Sequence, residues 1–223
     1  MHPPPPSSGL FADVWRNLQD RVFTQPSTDR LFNLYRDRDD ELDLPNGPTI
    51  RRSNLESFLL SYVEPPPLFL LAEAPGPWGC RFSGVPITSE SQLLDPEFPI
   101  HGSQSSSASI PHKEYSASIH WRVLGPYFPH FITWNAVPLH PRGAHPLSIR
   151  APTGREVEAY ADIVRAFLDA VRPERTIAVG RKAERALNHL GAESIYVRHP
   201  SQGGSRLFEQ GVLAVLREIG LRR

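Results

Sequence analysis

RTIAVGRKAERALNHLGAESIYVRHPS, residues 175–201, carries two periodicities in one short run. RTIAVG (175–180) is compact, apolar and ends at a glycine, the pattern of a buried strand. RKAERALNHLG (181–191) spaces its apolar residues at helical intervals and stops at Gly191. SIYVRHPS (194–201) reads as a further strand that runs into a loop. A strand, a helix and a strand in succession form a βαβ unit, which demands a parallel pair and a crossover helix on one face.

The same alternation extends outward. GREVEAYADIVRAFLDAV (154–171) predicts an amphipathic helix upstream, and RLFEQGVLAVLREIG (206–220) predicts the last helix. Farther back, PPPLFLLA ends a strand over 68–72, SASIHWRVLG (116–125) reads as a helix and HFITWNAVPL (130–139) as a strand. The expected fold is α/β, a single-domain three-layer α/β/α sandwich with a central, mostly parallel four-stranded sheet. Ahead of it, residues 9–66 form a helical part. Leu10, Phe11, Val14, Leu18 and Val22 mark one helix, 29–43 predicts a second, and Ser53 or Asn54 would cap a third over LESFLLSYV. Residues 67–223 form the motif-bearing core. Residues 1–8, rich in Pro and Ser, read as a disordered tail, and HGSQSSSASIPH (101–112) as a mobile insertion.

Composition narrows the function. The 223 residues suit one domain, and Lys+Arg and Asp+Glu balance at 24 each, so the bulk charge announces no partner. Arginines nonetheless concentrate in the last quarter, from Arg172 to Arg223. One cysteine, Cys80, excludes an internal disulfide, an all-cysteine zinc site and an iron–sulfur cluster, and points to a reducing, cytoplasmic setting. No stretch approaches the ~20 apolar residues of a membrane span, and MHPPPPSSG lacks the order of a signal peptide. No metal-ligand spacing is present, so neither metal nor other cofactor is expected.

In open parallel sheets ligands bind beyond the carboxyl ends of the strands. Three loops leave those ends with polar side chains, so Glu73, Asn135 and His199 are expected to converge. Glu73 could orient a water as a general base, or cap a neighbouring helix or pair with an arginine. Asn135 could read the edge of a purine or pyrimidine, or bond to backbone. His199 could donate to an oxygen that gains charge in a transition state, or be an ordinary loop histidine. Gly76 bares backbone to a flat ligand. Trp78 sits in a Gly/Pro-rich loop where stacking on a base suits it better than a core role.

Together these pieces resemble the uracil-DNA glycosylase superfamily. EAPG (73–76) is similar to the first motif of its iron–sulfur family 4, and PGPWGCRFSGVP (75–86) to that of its single-strand-selective monofunctional branch. TWNAVPLHP resembles the strand whose Asn reads uracil, and VRHPSQGG the second motif, whose loop enters the minor groove. The likeness covers about 68–220 in order. It implies a monofunctional glycosylase that flips uracil, or another deaminated base, out of DNA and hydrolyses its N-glycosidic bond in base excision repair. It implies a monomer with DNA as partner and no cofactor. Glu73 and His199 would be catalytic, and Asn135 would bond the base edge. Ala74, Pro75, Gly76, Trp78, Phe82 and Ile87 would surround the base. Pro200, Ser201, Gln202, Gly203, Gly204, Ser205, Arg206 and Leu207 would contact DNA, with Arg206 or Leu207 as the wedge. Four positions depart from the usual motifs: Ala74 replaces an Asp or Asn, Ile87 a stacking Phe, Ala72 a Gly and Gly76 a Tyr. With Ile87 in place of the aromatic ring, Trp78 or Phe82 would stack on the base. The rival readings are a non-catalytic binder of damaged DNA and a small-molecule hydrolase on the same fold.

Overall fold

The computed structural model describes residues 9–222; the proline-rich tail over 1–8 lies outside them. Four strands, β2 (Leu68–Ala72), β3 (Phe131–Asn135), β5 (Arg175–Val179) and β6 (Ile195–Val197), form one sheet in the order β3-β2-β5-β6. Every neighbouring pair is parallel, so all four carboxyl ends reach the same edge. Ala72 lies level with Asn135 at that edge.

Alternation along β2 and β3 sorts their residues onto two faces. Phe69, Leu71, Ile132 and Trp134 share one. There Trp134 stacks on Phe167 of α7 (Ala161–Val171) at 4.4 Å between centroids, and Phe11, just before α1 (Ala12–Asn17), closes over Phe167 at 5.7 Å. The opposite face meets α5 (Tyr115–Leu124) and α9 (Ser205–Glu218). Trp121 packs on Phe131 at 5.5 Å, and His120 lies between Phe131 and Phe208. Helices thus cover both faces, as the strand–helix alternation predicts. The amphipathic stretch 154–171 is two helices, α6 (Gly154–Glu158) and α7, and α8 (Arg181–His189) follows β5. No described helix is long and apolar enough to cross a membrane.

The N-terminal third departs from its reading. Residues 29–43 are not a helix. Leu31–Phe32 (β1) pairs antiparallel with His140–Pro141 (β4), and the Asn33 amide donates to Val22 O and Gln25 O, so long-range pairing overrides local preference. Ser53 and Asn54 cap nothing. Helix α2 (Gly47–Leu60) begins about two turns earlier, with Pro48 in its first turn, and Asn54 is spent on Ser83 O and Ser103 O.

The insertion 101–112 is pinned rather than mobile. Buried Glu90 accepts from Ser105 N, Ser106 N, Ser106 Oγ and His112 N at 2.7–3.2 Å, and Ser103 N donates to Asn54. Its serines serve as ligands for buried carboxylate and amide groups, a role that low complexity disguises. Beside Glu90, Arg81 grips Asp43 with both nitrogens (2.9 and 3.2 Å), and Arg51 approaches the same carboxylate at 3.1 Å. Burial alone would raise the Asp43 carboxyl; Arg51 and Arg81 outweigh it and hold the carboxyl below its usual range. Two arginines and two carboxylates therefore lie together under the loop that follows β2.

Candidate active site

A cavity of about 410 Å³ opens at the carboxyl edge of the sheet. That is the position a doubly covered parallel sheet offers a ligand, and the size suits a small molecule or a base. Its lining includes Glu73, Ala74, Gly76 and Ile87 from the first loop, and His199, Ser201 and Gln202 from the last.

Glu73 leaves β2 toward the neighbouring strand. Its Oε1 accepts Lys182 N–H at 3.1 Å, in the first turn of α8. Gly180 makes this possible. It holds φ +92°, and a Cβ there would lie 2.5 Å from the Glu73 carboxylate. The helix N-terminus favours negative charge at that spot. Helix capping, one of the roles open to Glu73 from sequence, is therefore occupied by one oxygen; among the described residues Oε2 has no protein partner.

His199 sits on the opposite wall. Its Nδ1 accepts from Ser201 N (3.2 Å) and faces Ser201 Oγ at 2.8 Å. A ring nitrogen that accepts a backbone amide carries no proton, so the proton rests on Nε2. Burial, aided by Arg198, lowers the imidazole to about 4. At neutral pH His199 is thus an uncharged N–H donor in a fixed tautomer. Beyond it the loop turns through Gln202 (φ +50°) and Gly203 (φ +76°). Gly204 packs so closely on His199 O that a Cβ would overlap it. Pro200 is buried, Ser205 opens α9, and Arg206 and Leu207 stand exposed on its first turn.

Ile87 has φ +43°, an outlier for a β-branched residue that costs about 1–3 kcal/mol. Trp121 Nε1 holds it by donating to Ile87 O at 3.1 Å. The side chain forms a small apolar floor with Ala72 and packs on buried Ala117. The two aromatics expected to stack on a ligand do not line the cavity. Phe82 is fully buried, its ring 4.2 Å from His112 with the Arg81 guanidinium 4.5 Å away. Trp78 projects outward, 42% exposed, its edge against His112. Pro75 is buried, its carbonyl accepting from His140 Nδ1 at 2.8 Å.

Asn135 is brought beside this floor without joining the lining. It is 2% exposed; its Nδ2 donates weakly to Cys80 Sγ at 3.6 Å, and its Oδ1 has no protein partner. A buried unmatched amide oxygen costs about 1–3 kcal/mol, which marks it as a place for a polar group from outside the chain.

Sequence reading missed five groups on the lining: Glu114, Arg150, Arg181, Tyr196 and Arg198. Arg150 reaches the cavity while bonded to Glu156 at 2.8 Å, and Arg181 lies over the Tyr196 ring at 4.0 Å. Arg198 adjoins His199 in sequence and was visible in VRHPS. The others come from segments without a motif.

An α/β sheet with two acidic side chains, a neutral histidine and three arginines around one cavity defines a site for a polar ligand at the strand ends. The solved structure of wild-type SMUG2 from Pedobacter heparinus shares this fold, with a TM-score of 0.64 over 95% of this chain and 99% of that one, at 16% identity. No curated protein matches the sequence. The model of the uracil DNA glycosylase superfamily matches residues 61–215, and the chain belongs to that superfamily.

Proposed function

We propose that this chain is a monofunctional DNA glycosylase that hydrolyses the N-glycosidic bond of uracil, and of related deaminated bases, after flipping them from DNA. It would act in base excision repair as a cytoplasmic monomer. The observation that carries this reading is the pairing across one cavity of Glu73, with a free oxygen, and His199, with a free Nε2–H.

Flipping costs a few kcal/mol and presents the base to a pocket. The base would settle over the Ala72–Ile87 floor, beside which the unmatched Asn135 Oδ1 would suit a ring N–H. A water held by Glu73 Oε2 adds to C1′ as the bond to the base breaks and its electron pair leaves with the base. His199 Nε2–H donates to a base carbonyl oxygen as negative charge grows there. Arg150, Arg181 and Arg198 offer positive charge to the flanking phosphates. Among the described residues no lysine lines the cavity, which supports attack by water rather than by an amine.

Labelled oligonucleotides carrying one uracil, single-stranded or opposite guanine or adenine, test this after alkali cleavage of abasic sites. Cleavage that drops by about 100-fold or more in Glu73→Ala and Asn135→Ala is expected. A wild-type rate in either variant removes that residue's role. Ala74 and Ile87, both apolar on the lining, favour a second reading, binding without chemistry. A band shift without cleavage would establish it.

A further inference from the structure

Glu90, which opens the short helix Glu90–Leu93, and Glu114 are both acids in the segment between β2 and α5, and they are treated differently. Glu90 is saturated by four donors. Glu114, the residue before α5, has only Ser116 as a hydrogen-bonding neighbour to its carboxyl among the described residues, yet it lines the cavity. Its carboxyl lies under the bare backbone of the first loop, where a Cβ on either Gly76 or Gly79 would overlap its oxygens. Two glycines three residues apart thus hold open a berth for this one group. A purely structural acid would be bonded there, as Glu90 is; this one is left unspent.

Building on the glycosylase reading, we propose that Glu114 is the acid of the site, giving its proton to the departing base while Glu73 receives one from the attacking water. The step balances. The C1′–N bond breaks with its electron pair on the base, and the Glu114 O–H proton moves to the base. Water oxygen bonds C1′, and its proton passes to Glu73. The free base and abasic sugar leave, and solvent returns Glu73 and Glu114 to their starting states. Carboxyl pairs whose surroundings differ commonly divide acid and base work in this way.

Burial pushes Glu114 up to about 7, against the pull of Ser116, so the group holds a proton near neutrality. Other charged or titratable groups lie around it. Cys80, on the neighbouring α3 (Cys80–Ser83), is pushed far up by its own burial and by the Glu114 carboxylate. His199 is held near 4. His112, two residues upstream, is lowered by burial. Glu73, Arg150, Arg181 and Arg198 complete the cavity's charges.

The test is single-turnover release of uracil across pH 5.5–9 for wild type, Glu114→Gln and Glu114→Asp. Binding of an oligonucleotide whose uracil nucleotide carries a non-hydrolysable 2′-fluoro sugar is followed in parallel. The wild-type rate should fall about tenfold per unit above about pH 7. Glu114→Gln should lose about 100-fold at pH 6, turn flat from pH 6 to 8 and bind the fluorinated strand within about twofold of wild type. Glu114→Asp should recover part of the rate together with the falling limb. A Glu114→Gln variant that keeps both rate and limb overturns the proposal, as does one that loses binding and rate in step. So does a wild-type profile flat from pH 6 to 8, whatever the variants do. A wild type that releases no base at any pH instead defeats the glycosylase reading, and the acid role falls with it.

Discussion

Replacing Gly180 with Ala probes the joint between the sheet and the Glu73 carboxylate. Gly180 holds φ +92°, ψ 165°, a region open almost only to glycine, and an L residue there costs about 1–3 kcal/mol. The new Cβ would also lie 2.5 Å from Glu73 Oε1. Glu73 is only half-buried, so its end can swing away, and the cost is the hydrogen bond from Lys182 N. Bonds to charged groups contribute about 1.5–3 kcal/mol, and partial exposure places this one at the low end. The sum is about 2.5–4.5 kcal/mol. With a urea slope of about 2–3 kcal/mol/M for a chain of this length, the midpoint should drop by about 1–2 M. A double-mutant cycle separates the parts. In a Glu73→Ala background only the backbone strain remains, so the two changes should couple by about 1.5 kcal/mol. Base release by Gly180→Ala should fall to the level of Glu73→Ala, because both remove the carboxylate from its place. A Gly180→Ala protein within about 0.5 kcal/mol of wild type, or strict additivity with Glu73→Ala, would refute the reasoning.

Phe167→Ala should cost about 3–5 kcal/mol by urea unfolding, because the ring joins Trp134, Phe69 and Phe11 across one face of the sheet; a loss under about 1 kcal/mol would show that face to be loosely packed. Acid should destabilise the fold through its buried histidines. Burial lowers His120 to about 3 and His140 and His199 to about 4, so the unfolded chain takes up three protons that the native state refuses, and this stability is present above about 6.5 and lost on the way down. Glu114, raised to about 7, works oppositely, its stability present at low pH and lost as pH rises through that value. The net of two protons predicts a loss of about 2–3 kcal/mol per unit between about pH 6 and 5; a urea midpoint unchanged from pH 7 to 5 would contradict it.

The C-terminal half was legible because its elements satisfy local and global preference together. RTIAVG and RKAERALNHLG fall within a residue or two of β5 and α8, since a buried parallel strand and an amphipathic helix each announce their period. Residues 29–43 were not legible. Their backbone is set by Pro141 and His140, over a hundred residues away, and by the Asn33 side chain. The same contrast holds within the site. Glu73 and His199 stand at strand ends, where the parallel sheet itself marks them. Glu114 belongs to no motif, and its one trace in the sequence is indirect: Gly76 and Gly79, in a loop otherwise stiffened by prolines, imply that something approaches that backbone from behind.

The buried Asp43–Arg81 pair sets a limit on where this protein can be divided. The stretch that defines its family begins at residue 61, but Arg81 within that stretch rests on a carboxylate from outside it, and Phe167 rests on Phe11. A fragment starting at residue 61 would strand a guanidinium in the interior and bare one face of the sheet, so the folding unit extends beyond the matched stretch. Grafting this site onto another scaffold would require carrying both pieces together.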